Sequence, residues 1–213
     1  MFKITKKLII PVVFIFLSSF TKKQNLFQVI SPSKKYTANI LVEKCEDDLC
    51  NGKGEITILS KNSKKTFQKL SSNDLSFFLD KNNLPTVNII QLYNEQSPLI
   101  FLDFNFDGEE DLAIRNGNYS GYGGPSYDVY LFDKRKKQFI LNKDLTELAY
   151  TNLGMFQTDS KRKRIITFAK SGCCWHQTIE YQIKNNKPVM TYRLTEDQTG
   201  ENADKPKITE EKF

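Results

Sequence analysis

Nine residues, Asp103-Phe104-Asn105-Phe106-Asp107-Gly108-Glu109-Glu110-Asp111, constrain this chain more than any other segment. They read D-x-N-x-D-G-x-x-D. Oxygen-bearing side chains alternate along the stretch, and a glycine sits where the backbone must turn sharply. That layout suits a hard divalent cation that takes six to eight oxygens at roughly 2.3–2.6 Å, which describes calcium better than magnesium. Asp103, Asn105 and Asp107 are expected to supply side-chain oxygens. Glu109 would offer its backbone carbonyl, and Asp111 would close the loop directly or through water. An EF-hand would place a bidentate glutamate at its twelfth position, where this chain has Ile114. The flanks, Leu99-Ile100-Phe101-Leu102 and Leu112-Ala113-Ile114, are short apolar runs of strand type. The pattern therefore predicts a strand–loop–strand site. The competing reading is an acidic surface turn, since Asp, Asn and Gly favour turns for local reasons.

The N-terminus has the order of a secretory leader. Lys3, Lys6 and Lys7 precede an apolar run of 13 residues from Leu8 to Phe20. A membrane-spanning helix needs about 20. Residues 1–20 are thus expected to be a signal peptide, leaving no membrane span after cleavage and an exported protein, periplasmic or secreted. In an oxidising compartment the four cysteines favour disulfides. Cys45 and Cys50 bracket a short acidic loop and are expected to pair. Adjacent Cys173 and Cys174 form either a vicinal bond or none. A zinc site from Cys173, Cys174 and His176 is the rival, but zinc ligands usually stand two to four residues apart.

The formal net charge of +6 falls to +3 once the three leader lysines are gone. So mild a balance gives no reason to invoke nucleic acid. The basic run Lys161-Arg162-Lys163-Arg164 has no interleaved aromatics and reads as a solvated turn.

About 190 residues remain, enough for one core. Strand patterns dominate at 36–42, 55–59, 87–92, 127–132, 138–141, 164–168 and 178–183. Helix is expected only at 72–79 and 144–148. This predicts an antiparallel all-β domain over 21–194. The polar stretch 195–213 is expected to be a flexible tail. Three segments, ITILSKNSKKTF from Ile56, VYLFDKRKKQF from Val129 and EYQIKNNKPV from Glu180, share a strand–turn–strand plan. Hairpins recurring at such intervals suit the blades of a small or incomplete β-propeller.

Phe106-Asp107-Gly108-Glu109-Glu110-Asp111-Leu112 resembles the calcium-loop repeats called FG-GAP or VCBS. The succession LDFNFDGEEDLAI, GYGGPSYDVYLFD, KKQFILNKDLTEL, KRKRIITFAKSG and IEYQIKNNKPV is similar to a group of exported bacterial proteins of incomplete β-propeller type. The best-known member of that group looks like an immunity protein against a peptidoglycan-degrading effector of a type IV secretion system. The resemblance implies calcium at Asp103, Asn105, Asp107, Glu109 and Asp111 and a protein partner; it does not imply catalysis. This chain departs from that best-known member in lacking a lipid-attachment cysteine and in carrying Cys173-Cys174.

Catalytic arrangements find little to use. His176 is the one histidine, and a disulfide would silence the neighbouring thiol. Paired carboxylates for glycoside hydrolysis would have to come from outside the acidic loop. The alternative to a binding module is a cell-envelope hydrolase or glycan-binding protein with a structural calcium. The segment 117–125, GNYSGYGGP, has the tyrosine, glycine and serine composition of contact loops. Tyr119, Tyr122 and Pro125 are its expected partner-binding residues.

Overall fold

The computed structural model describes residues 25–29, 33–93, 96–202 and 204–213. The expected leader, 1–20, lies outside them. The described chain forms three antiparallel sheets, each built largely in chain order and none closed on itself. The first takes β1 (Asn25–Val29), β2 (Tyr36–Glu46), β3 (Leu49–Ser60) and β4 (Thr66–Ser72), with the short β5 (Phe77–Phe78) beside β3. The second takes β6 (Leu99–Leu102), β7 (Asp111–Arg115), β8 (Tyr127–Asp133) and β9 (Gln138–Leu141). Helix α1 (Lys143–Thr151) leads to the third: β10 (Gln157–Asp159), β11 (Arg164–Ser171), β12 (Trp175–Lys184), β13 (Lys187–Asp197) and β14 (Lys207–Lys212).

The three similar hairpins of the sequence are β3–β4, β8–β9 and β12–β13, the third and fourth strands of each successive sheet. Their turns use left-handed residues, among them Lys64 (φ 54), Lys137 (φ 52) and Asn186 (φ 61).

The second sheet is covered on both faces, which explains its continuous apolar strands. Register aligns Phe101, Leu112 and Tyr130 across three strands. This face meets Ala38, Ile40, Ile56 and Ile58 of the first sheet in one core. The alternate residues Ile100, Ala113 and Val129 face a second core with Leu145 of α1 and Ile165 and Ile179 of the third sheet. Each fully buried Leu, Ile or Phe contributes about 1.5–3 kcal/mol. Helix α1 starts where Asn142 accepts the Leu145 amide at 2.9 Å, an N-cap. It buries Leu145 and Ala149, one turn apart.

Three segments differ from their expected form. Residues 72–79 are not helical. Leu75 and Phe77 are buried at alternate positions and the chain pairs with Leu49 and Cys50, so tertiary pairing overrides the weak helical signal. Residues 87–92 form no strand beyond a bridge of Val87 to Leu99. Asn88 adopts φ 61, and its carboxamide accepts the Phe101 amide at 2.7 Å and donates to the Phe101 carbonyl at 3.0 Å. A side chain thus takes the place of a neighbouring strand. Residues 195–213, expected to be flexible, carry the end of β13 and all of β14, paired from Tyr192–Lys212 to Asp197–Lys207. Ile208 is 61% exposed; ladder hydrogen bonds and an Arg193–Glu211 ion pair at 2.6 Å order this strand, not apolar burial. No helix among the described residues is long and apolar enough to cross a membrane.

Candidate functional site

The acidic stretch joins β6 to β7, as a strand–loop–strand, with Leu102 paired to Asp111 at its neck. Its carboxylates fold the loop around their own backbone. Asp103 accepts the amides of Asp107 at 3.1 Å and Gly108 at 2.8 Å. Asn105 accepts the Asp107 amide at 3.1 Å, and Asp107 accepts that of Glu109 at 2.9 Å. Gly108 turns at φ 89, in the region that favours glycine. Asp111 is buried, and its two oxygens accept the amides of Phe104 and Phe132, each at 2.8 Å. Burial pushes its carboxyl pKa up to about 7 against the lowering effect of those amides, and the charges of Asp103 and Asp107 push it further the same way.

The loop is also a junction between sheets. Glu110 accepts from the Ser33 hydroxyl at 2.9 Å and the Lys34 amide at 3.1 Å, just before β2. Glu109 pairs with Lys35, whose pKa that contact raises. Lys134, in the β8–β9 turn, donates to the Asp107 carbonyl at 3.1 Å. Asn105 donates to Asn186 in the β12–β13 turn at 3.0 Å. One loop therefore touches all three sheets.

An all-oxygen donor set with three mutually repelling acidic side chains, one of them buried, fits a hard cation in its chemistry. The residues that would hold it are Asp103, Asn105, Asp107, Asp111 and the Glu109 carbonyl. The Glu109 carboxylate is engaged by Lys35, which leaves the backbone as that residue's donor. Among the described residues no three His, Cys, Asp or Glu side chains are drawn together at ligating range.

The glycine-rich connection between β7 and β8 is pinned at several points. Its neck closes through Asn116 and Ser126, with the Ser126 hydroxyl donating to the Asn116 carbonyl at 2.6 Å and accepting the Tyr119 amide at 3.1 Å. The Gly121 amide donates to the Asn152 carbonyl at 2.8 Å, and Ser120 accepts the Gly154 amide at 3.1 Å. Tyr119 and Tyr122 are 63% and 64% exposed, yet they point to different neighbours. Tyr119 stacks on Tyr150, 6.3 Å between centroids, and donates to Asp74 at 2.9 Å. Tyr122, held at φ 58, accepts the Gly172 amide through its hydroxyl and lines a pocket with Pro125, Tyr93, Leu153 and Lys170.

Gly117 (φ 82) permits the Tyr119 arrangement: an added Cβ would stand 2.0 Å from the ring. Gly117→Ala is expected to cost about 2 kcal/mol through backbone conformation and overpacking. Urea melts check the loss, and a near-UV tyrosine signal reports the displaced ring; unchanged values for both would contradict this account.

The cysteines form two disulfides, Cys45–Cys50 across the β2–β3 hairpin and Cys173–Cys174 in the β11–β12 turn. Both thiols of the alternative zinc set are thereby bonded. The basic run closes the β10–β11 turn, where Arg162 pairs with Asp159 at 2.6 Å and Glu180 at 2.9 Å. Sequence reasoning passed over Tyr93, Leu153, Lys170, Lys35 and Lys134. No local pattern marks them, because each reaches its site from a distant segment.

No protein-family model matches the chain, and no curated protein matches it. Among solved structures it is similar to a Xanthomonas type IV secretion system related protein, with 26% identity, a TM-score of 0.68 and 90% of each chain covered. The likeness extends over the first half of the chain, where the sequence offered no motif.

Proposed function

We propose that this chain is an exported binding module that grips a peptidoglycan-degrading effector and blocks it, as an immunity protein does. The observation that carries this reading is the pinned β7–β8 connection. It presents Tyr122 and Pro125 on a loop tied to the end of α1 through Gly121 and Ser120 and to the β11–β12 turn through the Tyr122 hydroxyl, so little ordering entropy remains to be lost on binding. The likeness to a secretion-system related protein supports the same setting, and the two disulfides fit an oxidising compartment such as the periplasm. The three successive sheets are read as blades of an incomplete propeller. Calcium in the β6–β7 loop would relieve the repulsion among Asp103, Asp107 and Asp111 and hold the junction of the sheets together.

Two experiments test this. Capture from a bacterial envelope extract, with and without calcium, is expected to retain a wall hydrolase; release of sugar from purified peptidoglycan by the chain alone would favour the hydrolase alternative. Calcium at a hundred times its dissociation constant is expected to add about 2.7 kcal/mol, or about 5–10 °C in melting temperature. Asp107→Ala is expected to remove that gain while costing about 1 kcal/mol in chelator, where it loses two exposed hydrogen bonds, from the Glu109 amide and the Asn105 carboxamide, and an exposed ion pair with Lys134. Equal melting temperatures for wild type in calcium and chelator would refute the metal.

A further inference from the structure

The β7–β8 loop does not stand alone at its end of the molecule. Lys170, the last residue but one of β11, brings its ammonium 4.7 Å from the Tyr122 ring centroid and 4.8 Å from that of Tyr93. Tyr122 in turn is anchored on Gly172, the residue beside the Cys173–Cys174 bond. The pocket so formed, about 220 Å³, is walled by the two rings, Pro125 and Leu153. Lys170 is half-buried, and none of the ion pairs among the described residues involves it. Ring faces attract a cation but leave its charge uncompensated.

From this we infer that the pocket receives a carboxylate-bearing side chain, an Asp or Glu flanked by an apolar residue, from a protein partner. The inference rests on the binding-module reading and names the chemistry that the partner presents. Charge complementarity selects an anion. One lysine without an arginine fork suits a single carboxylate better than a phosphate chain. The volume is below that of ordinary small-molecule pockets, about 300–1,000 Å³, and admits one side chain. The apolar walls suit the neighbouring residue. The ammonium, steadied by two rings, is already in place, so binding orders little more.

The test titrates acetyl-Leu-Glu-amide and its acetyl-Leu-Gln-amide analogue into the full chain and follows backbone amides by NMR. The glutamate peptide is expected to shift Gly172 and Tyr122. The glutamine peptide should bind about tenfold more weakly, and Lys170→Met should abolish the difference. Lys170→Gln provides a second variant if Lys170→Met lowers the melting temperature. Equal binding of the two peptides, or shifts confined to the basic turn at 161–164, would overturn the inference. Capture from envelope extract separates the two readings. A partner retained equally by wild type and Lys170→Met removes the carboxylate pocket and leaves the binding module standing. Capture by neither removes the module, and the peptide titration still decides the pocket.

Discussion

In chelator, folding stability is expected to fall by on the order of 4 kcal/mol as pH rises from about 4 to about 7. The cause is Asp111, whose pKa stands near 7 in the folded chain against the ordinary 3.8. A folded-state value above the unfolded one means that the native protein binds the extra proton through that window. Stability is therefore full below about pH 4 and declines until the folded group has ionised. Asp128, half-buried, is raised as well and acts in the same direction. Asp80, Asp133 and Asp159 are lowered by backbone amides and work the opposite way, toward the acid side of the ordinary carboxylate range. Urea melts at intervals across the window measure the slope. Asp111→Asn, which cannot ionise, should flatten most of it. A wild-type stability that rises between pH 4 and 7 would contradict the buried, charge-crowded placement of this carboxylate.

Phe101→Ala is expected to cost about 3–5 kcal/mol, the range for emptying a buried aromatic site. Phe101 is 2% exposed and lies in the core between the first and second sheets, 6.5 Å from the Tyr36 ring. Its strand pairs with β7 on one side and is held by the Asn88 side chain on the other, so the cavity has little freedom to collapse. Phe101→Leu should recover part of the loss. Denaturant melts of both variants check this; a Phe101→Ala protein within about 1 kcal/mol of wild type would mean that the two sheets do not share that core.

The acidic loop and its flanking strands were legible because short continuous apolar runs and alternating oxygens are local signals. The three lysine-rich hairpins were legible for the same reason, and each falls in its own sheet. Residues 87–92 misled because VNIIQL has strand composition, while one left-handed asparagine diverts its backbone and substitutes a side chain for the ladder. Residues 72–79 misled because possible capping residues precede an apolar run whose burial is decided by the disulfide-closed hairpin beside it. The last strand was missed because its charged residues bury little, and its order comes from pairing with β13.

The candidate site divides in the same way. Tyr119, Tyr122 and Pro125 were legible as a composition, but not their separation. Tyr119 props the loop against Tyr150 and Asp74, and Tyr122 with Pro125 faces Lys170. Tyr93 and Lys170 arrive from segments 29 and 48 residues away from Tyr122, a convergence that only the packing of sheets creates. The lysines at the acidic loop are of the same kind: Lys35 brings charge compensation from the first sheet, and Lys134 brings it from the β8–β9 turn two strands away.

The most direct trial follows peptidoglycan breakdown by an envelope hydrolase retained on this protein, as the protein is added back in increasing amounts. Inhibition that saturates at one equivalent, and weakens with Tyr122→Ala, is the predicted result. Undiminished breakdown at saturating protein, or breakdown carried out by this chain without the hydrolase, would contradict it.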